Sequence, residues 1–256
     1  MRAIIIGAGR GSRLEHLTDE VPKTMVEVVG RPMLEHILDA LAFAGFTRDR
    51  IVFISGYRAE VVEERYPDLT YVRNEGWETN NILLSLLCAR DLMHDGFVST
   101  YADIVYTPEI ARDVAASEHD ITLGCDTAWR RRYVSRSQHP ETDAEKLVAD
   151  GSRVTVLSRK LPSEEASGEF IGVMKVGKAA VPRFLKHFDD VAAKYSGGPF
   201  REGRTFEKAY LIDFLQHLLE AGEPMHRADT PGGYMEIDTL EDRGLAETWW
   251  RSRAGA

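Results

Sequence analysis

The chain has 256 residues, 43% of them hydrophobic and 29% charged, the profile of a globular α/β domain with a sizeable core. With 32 Lys and Arg against 41 Asp and Glu the net charge is −9, which argues against general nucleic-acid binding and leaves anionic ligands to local cationic clusters. No apolar run reaches the length of a membrane span or signal peptide, and two cysteines, Cys88 and Cys125, speak against a disulfide framework or metal cluster, so a cytoplasmic setting is expected.

Residues 3–6 open with Ala and three isoleucines, which fit a strand buried on both faces of a parallel sheet. The run ends at Gly7-Ala8-Gly9-Arg10-Gly11-Ser12-Arg13. Three glycines in five residues allow positive φ and a close approach of backbone N–H groups to phosphate oxygens, and Arg10, Arg13 and Lys23 add cations. A dinucleotide fingerprint would need Gly or Ala at Ser12, and a Walker loop would need Gly-Lys-Ser/Thr at Gly11-Ser12-Arg13. Gly177-Lys178 imitates the second motif but is followed by Ala179, which has no hydroxyl. A tight strand–helix turn would account for the glycines alone. Pro22-Lys23 downstream favours a polyphosphate loop.

Residues 31–45 read as a helix, with Leu34, Ile37, Leu38 and Leu41 as its apolar stripe, Pro32 in its first turn and Gly45 as its stop. Strands at 51–55, 69–73, 97–101 and 121–125 then alternate with helices at 58–65, 79–93 and 107–116. That alternation predicts a parallel sheet flanked by helices. After Asp126 the pattern changes. Residues 146–149 and 154–157 flank Asp150-Gly151, a hairpin signal, and 170–176 is a further β-run. Helices follow at 178–194 and 206–221, with Gly197-Gly198-Pro199 as a loop between them and Gly222 as a stop. A strand at 234–237 and a helix at 239–250 close the chain. The expected fold is one Rossmann-like α/β domain, residues 1–256, with a small β-hairpin subregion.

Asp103 follows the strand at 97–101, and ligands of open α/β sheets collect at the carboxyl ends of strands. There it could hold Mg2+ or merely cap the next segment. Glu236 and Asp238 are two apart on an expected strand and so share a face, which suits either a surface strand or a divalent-cation site completed by Asp103. Asn74, Thr79, Asn80 and Asn81 cluster on one loop. Thr79 or Asn80 could cap the following helix, and the amides could instead present donors and acceptors to a base edge. Arg130, Arg131, Arg132 and Arg136 fall in seven residues beside Trp129 and Tyr133, so they form either a solvated face or a site for an anionic acceptor group.

The run from Gly7 to Leu14 with Pro22-Lys23 resembles the signature of the sugar-phosphate nucleotidyltransferase superfamily, with Gly7 where that superfamily usually has alanine. Loss of one methyl there is expected to leave the loop intact. Asn74…Asn80-Asn81…Ser85 and Glu236-Ile-Asp238 are similar to the phosphocholine cytidylyltransferase branch. The stretch containing Trp129, Tyr133, His139-Pro140, Lys146 and Gly168-Glu169-Phe-Ile-Gly172 resembles cytidylyltransferases of phosphonate biosynthesis. The resemblance implies a Mg2+-dependent transfer of NMP from an NTP, CTP foremost, to a small phosphate or phosphonate monoester, with release of pyrophosphate. On it, Lys23 and Arg13 are catalytic. Gly7, Ala8, Gly9, Arg10, Gly11, Ser12 and the four residues of the amide loop bind nucleotide, and Asp103, Asp238 and Glu236 hold metal. Trp129, Arg130, Arg132, Tyr133, Arg136, Lys146 and Glu169 meet the acceptor, Trp129 either over a choline-like cation or packed in the core. Residues 1–125 would form the nucleotide half and 126–256 the acceptor half. The expected partners are these two small molecules, with neither nucleic acid nor membrane, and a homodimer is compatible with the chain. A sugar-1-phosphate or inositol-phosphate transferase and a non-catalytic nucleotide-binding regulatory domain stay open as alternatives.

Overall fold

The computed structural model describes residues 1–203 and 205–254. In its first half, β1 (Arg2–Ile6) leads into the glycine loop, and a hairpin of β2 (Glu27–Val28) and β3 (Arg31–Pro32) precedes α1 (Met33–Phe43). There follow β4 (Ile51–Ser55), α2 (Ala59–Arg65), β5 (Thr70–Arg73), α3 (Ile82–Leu87), β6 (Phe97–Tyr101), β7 (Ile104–Tyr106), α4 (Pro108–Ala116) and β8 (Ile121–Asp126). The second half contains α5 (Arg130–Tyr133), the hairpin of β9 (Lys146–Asp150) and β10 (Arg153–Leu157), β11 (Gly168–Val176), α6 (Val181–Tyr195), α7 (Leu211–Glu220), β12 (His226–Thr230), β13 (Tyr234–Glu236) and α8 (Leu240–Ala254).

The isoleucine run becomes a central strand because it is apolar toward both layers. Ile4 and Ile6 pack with Val52, Ile54 and Phe97 on one side of the sheet. Ala3 and Ile5 pack with Leu34, Phe53 and Val98 on the other. β1 pairs in parallel with β4 and β6, and β4 with β5, giving the order β5-β4-β1-β6. The run of adjacent parallel strands expected from the strand–helix alternation ends at β6, although β12 again pairs in parallel with β8 further along the sheet. β11 enters antiparallel between β6 and β8, so the nine-stranded sheet is mixed. All nine residues of β11 are buried, and its register shifts between Phe170 and Met174. Gly172 lies in that shift at φ 75°, where a Cβ would stand 2.5 Å from Tyr101 Cγ, so glycine lets Tyr101 pack against the bent strand.

Two pairings position the chemistry. β1 and β6 run side by side to Ile6 and Tyr101, so the glycine loop and Asp103 leave the same edge of the sheet. β13 pairs with β7, and the Ile237 N–H donates to the Asp103 carbonyl at 2.9 Å, which brings the 236–238 segment back beside Asp103. β12 was not legible in the sequence, since its residues are polar and only partly covered. The helix expected at 79–93 is shorter: the Asn81 side chain caps α3 by accepting from the Ile82 N–H, and the segment ends in a 3-10 turn at Arg90–Leu92. Among the described residues no helix is long and apolar enough to cross a membrane.

Candidate active site

Two of the loop's three glycines are required by the structure, for different reasons. Gly11 has φ 73°, and a Cβ there would lie 2.6 Å from Lys23 Cδ, so the residue lets the Lys23 stem lie against the loop. Gly7 does not have positive φ, yet a Cβ on it would stand 2.8 Å from Phe53 Cε2. The aromatic ring of β4 therefore accounts for glycine where the superfamily usually has alanine. Gly9 has open space around it, which leaves its backbone accessible. The expectation of positive φ through the loop is thus corrected to Gly11 alone. The Gly7 N–H donates to the Ile54 carbonyl, whereas those of Gly9, Arg10 and Gly11 have no backbone acceptor among the described residues. Such amides make a phosphate nest. Gly7, Gly9, Gly11, Ser12, Arg13 and Lys23 line one cavity of about 290 Å³, whose far wall is Asp103 and Asp238.

Lys23 is the centre of this wall. It is buried, its Nζ lies 2.8 Å from Asp103 Oδ2, and it also pairs with Asp238 Oδ1. Burial opposes its charge, but the two carboxylates outweigh that and hold its pKa above the ordinary lysine value. Burial would likewise raise Asp238, yet Lys23 and the Arg13 guanidinium, 2.6 Å from Asp238 Oδ2, hold it down at about 2. Asp103 Oδ1 is buried and accepts no hydrogen bond among the described residues. A buried, unpartnered carboxylate oxygen of this kind fits a cation ligand.

Glu236 lies beside this group. Burial, and then the negative charge of Asp238, push its pKa up to about 7. His139 Nε2 is 3.4 Å from Glu236 Oε2, and one ligand atom each from His139, Glu236 and Asp238 lie within 4.8 Å of one another. The segment is held from behind by Asp242, which is fully buried. Its Oδ2 accepts from the N–H groups of Asp238 and Thr239 at 3.1 and 3.0 Å, and it faces Arg136 and His139.

A second cavity of about 400 Å³ shares Arg13, Asp103 and Asp238 with the first. Tyr101, Phe170, Tyr234, Glu145, Arg159 and Tyr210 also line it. The Tyr101 hydroxyl donates to Glu145 Oε2 at 3.1 Å. Burial pushes the Glu145 carboxyl up to about 8. The folded chain therefore keeps a proton that the unfolded chain releases, and this contribution to stability is lost as pH rises from about 5 through 8. Glu145→Gln should narrow the fall in melting temperature between pH 5 and 8 by a few degrees. An unchanged fall would mean that Glu145 is already ionised.

The remaining candidates are distributed unevenly. Glu169 lines the second cavity, but Arg132 and the Tyr133 hydroxyl engage its two oxygens. Arg132 is buried between Asp126 and Glu169. The Arg136 side chain is fully buried, facing Asp242 and donating to the Glu236 carbonyl at 2.7 Å. Arg130 is exposed and pairs with Glu141, 3.3 Å away. Trp129 packs with Tyr133 and Ala144 in a small apolar cluster, and Lys146 lines a neighbouring cavity. The expected arginine-held acceptor anion is therefore corrected: carboxylates of the chain neutralise these arginines, and the cluster braces the cavity from outside.

The amide loop needs a similar correction. Asn74 and Asn80 bond reciprocally at 2.9 and 2.8 Å, and Asn74 Nδ2 also donates to Ser85 Oγ. Thr79 Oγ1 donates to the Gly76 carbonyl, and Asn81 donates to the Lys208 carbonyl besides capping α3. These bonds tie the side chains to their own loop, while Asn81 also lines the second cavity and each amide keeps further donors or lone pairs. Arg10 bonds to Asp19 and lies 5.5 Å from the Tyr57 ring centroid, outside both cavities. Tyr101, His139, Glu145, Arg159 and Tyr210 stand in the cavity without having been singled out as site residues. His139-Pro140 was visible as part of a motif and Glu145 stands next to Lys146 of the same stretch, whereas Arg159 carried no local signal.

A family model described as MobA-like NTP transferase domain matches residues 3–160. The chain is 26% identical over 252 residues to a CTP:phosphoglutamine cytidylyltransferase of Campylobacter jejuni, covering 94% of this chain and 97% of that one. It is 38% identical over 112 residues to a 2-aminoethylphosphonate cytidylyltransferase of Lancefieldella rimae, covering 42% of this chain and 44% of the relative. Among solved structures, the CTP:phosphocholine cytidylyltransferase of Streptococcus pneumoniae superposes with TM-score 0.74 at 20% identity, over 97% of this chain and 98% of that one. That likeness supports the fold.

Proposed function

The chain belongs to the MobA-like NTP transferase family and is a nucleotidyltransferase, and from that premise we propose that it is a Mg2+-dependent cytidylyltransferase moving CMP from CTP to a small phosphate or phosphonate monoester. The observation that carries this reading is the meeting of Lys23, Arg13, Asp103 and Asp238 where the glycine-loop cavity opens into the second cavity. Support for cytosine comes from the cytidylyltransferases among the relatives.

The acceptor's phosphate or phosphonate oxygen is already anionic near neutral pH, so no general base is required. It forms a bond to the α-phosphorus while the bond from that phosphorus to the bridging oxygen of the β-phosphate breaks, and the electron pair leaves with pyrophosphate. Catalysis is then positioning and charge stabilisation. The loop amides of Gly9 and Gly11 hold phosphate oxygens. Lys23, kept cationic by its two carboxylates, sits where charge develops on the α-phosphoryl group. Arg13, bound to Asp238 from an exposed position, is free to share its remaining donors with the departing phosphates. Asp103 and Asp238, with Glu236 and His139 adjacent, would hold Mg2+, whose charge neutralises the triphosphate when bound.

The test is pyrophosphate release with each of four NTPs and phosphocholine, 2-hydroxyethylphosphonate, 2-aminoethylphosphonate or glucose 1-phosphate. The expected outcome is turnover with CTP and a non-sugar acceptor, abolished by chelation of Mg2+. Turnover confined to glucose 1-phosphate would overturn the acceptor class, and nucleotide binding with no turnover would make the chain a regulator.

A further inference from the structure

The second cavity is chemically two-ended. Arg13, Asp103 and Asp238, which meet the phosphate on the reading above, line it together with a second polar group of Asp143, Glu145, Arg159 and Tyr210, taken as the remote end. At the remote end Arg159 Nη2 donates to Asp143 Oδ1 at 2.9 Å, so one acid already answers the guanidinium. Nonetheless its Nε is buried with no acceptor among the described residues. Its guanidinium carbon lies 4.6 Å from the Tyr210 ring centroid, a position that fixes the plane of the fork. Glu145 is the second acid of this end, and its one hydrogen-bond donor among the described side chains is the Tyr101 hydroxyl.

Building on the nucleotidyltransferase reading above, we propose that the acceptor ends, away from its phosphate, in both a carboxylate and a protonated amine, as an amino acid does, with Arg159 taking the carboxylate and Glu145 the ammonium. A purely cationic end would satisfy Glu145 but place a like charge beside Arg159 and leave its donors unanswered. A sugar would offer hydroxyls to both and neutralise neither. An ammonium beside Glu145 also favours the ionised carboxylate that burial otherwise disfavours. Tyr101, Phe170 and Tyr234 also line the cavity and suit the short alkyl stem of such a molecule.

Initial rates of pyrophosphate release with CTP should be compared for O-phospho-L-serine and O-phospho-L-homoserine, which carry both charges at two lengths, and for phosphoethanolamine and 3-phosphonopropionate, which carry one each. The better two-charge acceptor should exceed both single-charge acceptors in kcat/KM by about tenfold or more, the size of one lost charged hydrogen bond. Arg159→Gln should erase the ratio between O-phospho-L-serine or -homoserine and phosphoethanolamine, and Arg159→Lys should recover it only in part because the planar fork is lost. Phosphoethanolamine or phosphocholine as the best wild-type acceptor would overturn the proposal without any variant. So would an Arg159→Gln protein that slows all four equally. Calorimetric titration of the same acceptors reads the pocket apart from the reaction. Arg159-dependent preference in binding without turnover of any acceptor would sink the transfer reading and keep this one, and turnover with no preference would do the reverse.

Discussion

Asp238→Asn is expected to lower turnover by about a thousandfold and to destabilise the metal-free protein by about 3 kcal/mol. One carboxylate here faces two cations: Oδ1 receives Lys23 and Oδ2 receives Arg13. An amide removes the negative charge that steadies a buried ammonium and releases Arg13 from its orientation. Asp103→Asn should behave differently. Its Oδ2 accepts from Lys23, but its Oδ1 accepts from nothing among the described residues, which leaves that oxygen open to the proposed cation. That variant should melt close to the wild type without Mg2+ and still lose turnover by about a hundredfold or more. Pyrophosphate release across a Mg2+ titration, with thermal melts in chelator, separates the two variants. Near wild-type turnover by either at saturating Mg2+ would remove it from the cation site, and equal melts would contradict the unequal roles drawn from their partners.

The contrast between these two aspartates marks how far the sequence was legible. β1, the glycine loop and Asp103 follow one another within a strand and its exit, so local spacing reveals them. Glu236 and Asp238 were recognisable as a pair sharing a face, and the pairing of β13 with β7 brings them to Asp103. Long-range partners were not legible. Arg132 reads as a surface cation until Asp126 and Glu169 close on it, and Arg136 until Asp242, more than a hundred residues away, meets it. Asn74 and Asn80 lie six apart, yet whether an amide faces a base or another amide depends on a loop conformation that spacing does not encode. The insertion of β11 between β6 and β8 is likewise a tertiary event, since a strand buried along its whole length is acceptable to a parallel or an antiparallel neighbour.

Lys23→Ala should reduce turnover about a hundredfold or more while weakening CTP binding much less, because the ammonium stands by the carboxylate wall, where the proposed reaction puts the α-phosphate, and on the same proposal the loop amides remain to hold the triphosphate. The same substitution leaves Asp103 and Asp238 facing one cavity with the cation between them removed, so mutual repulsion should lower the melting temperature in chelator. Mg2+ can replace the missing charge in that space. The variant should therefore gain more melting temperature from added Mg2+ than the wild type does, and yet remain slow at every Mg2+ concentration, since an ion held by the acids does not restore a donor aimed at the phosphoryl oxygen. These two readouts fail independently. A loss confined to nucleotide affinity would reduce Lys23 to a docking residue. A variant that gains no more from Mg2+ than the wild type would mean that Asp103 and Asp238 serve the lysine alone and do not together form a cation site.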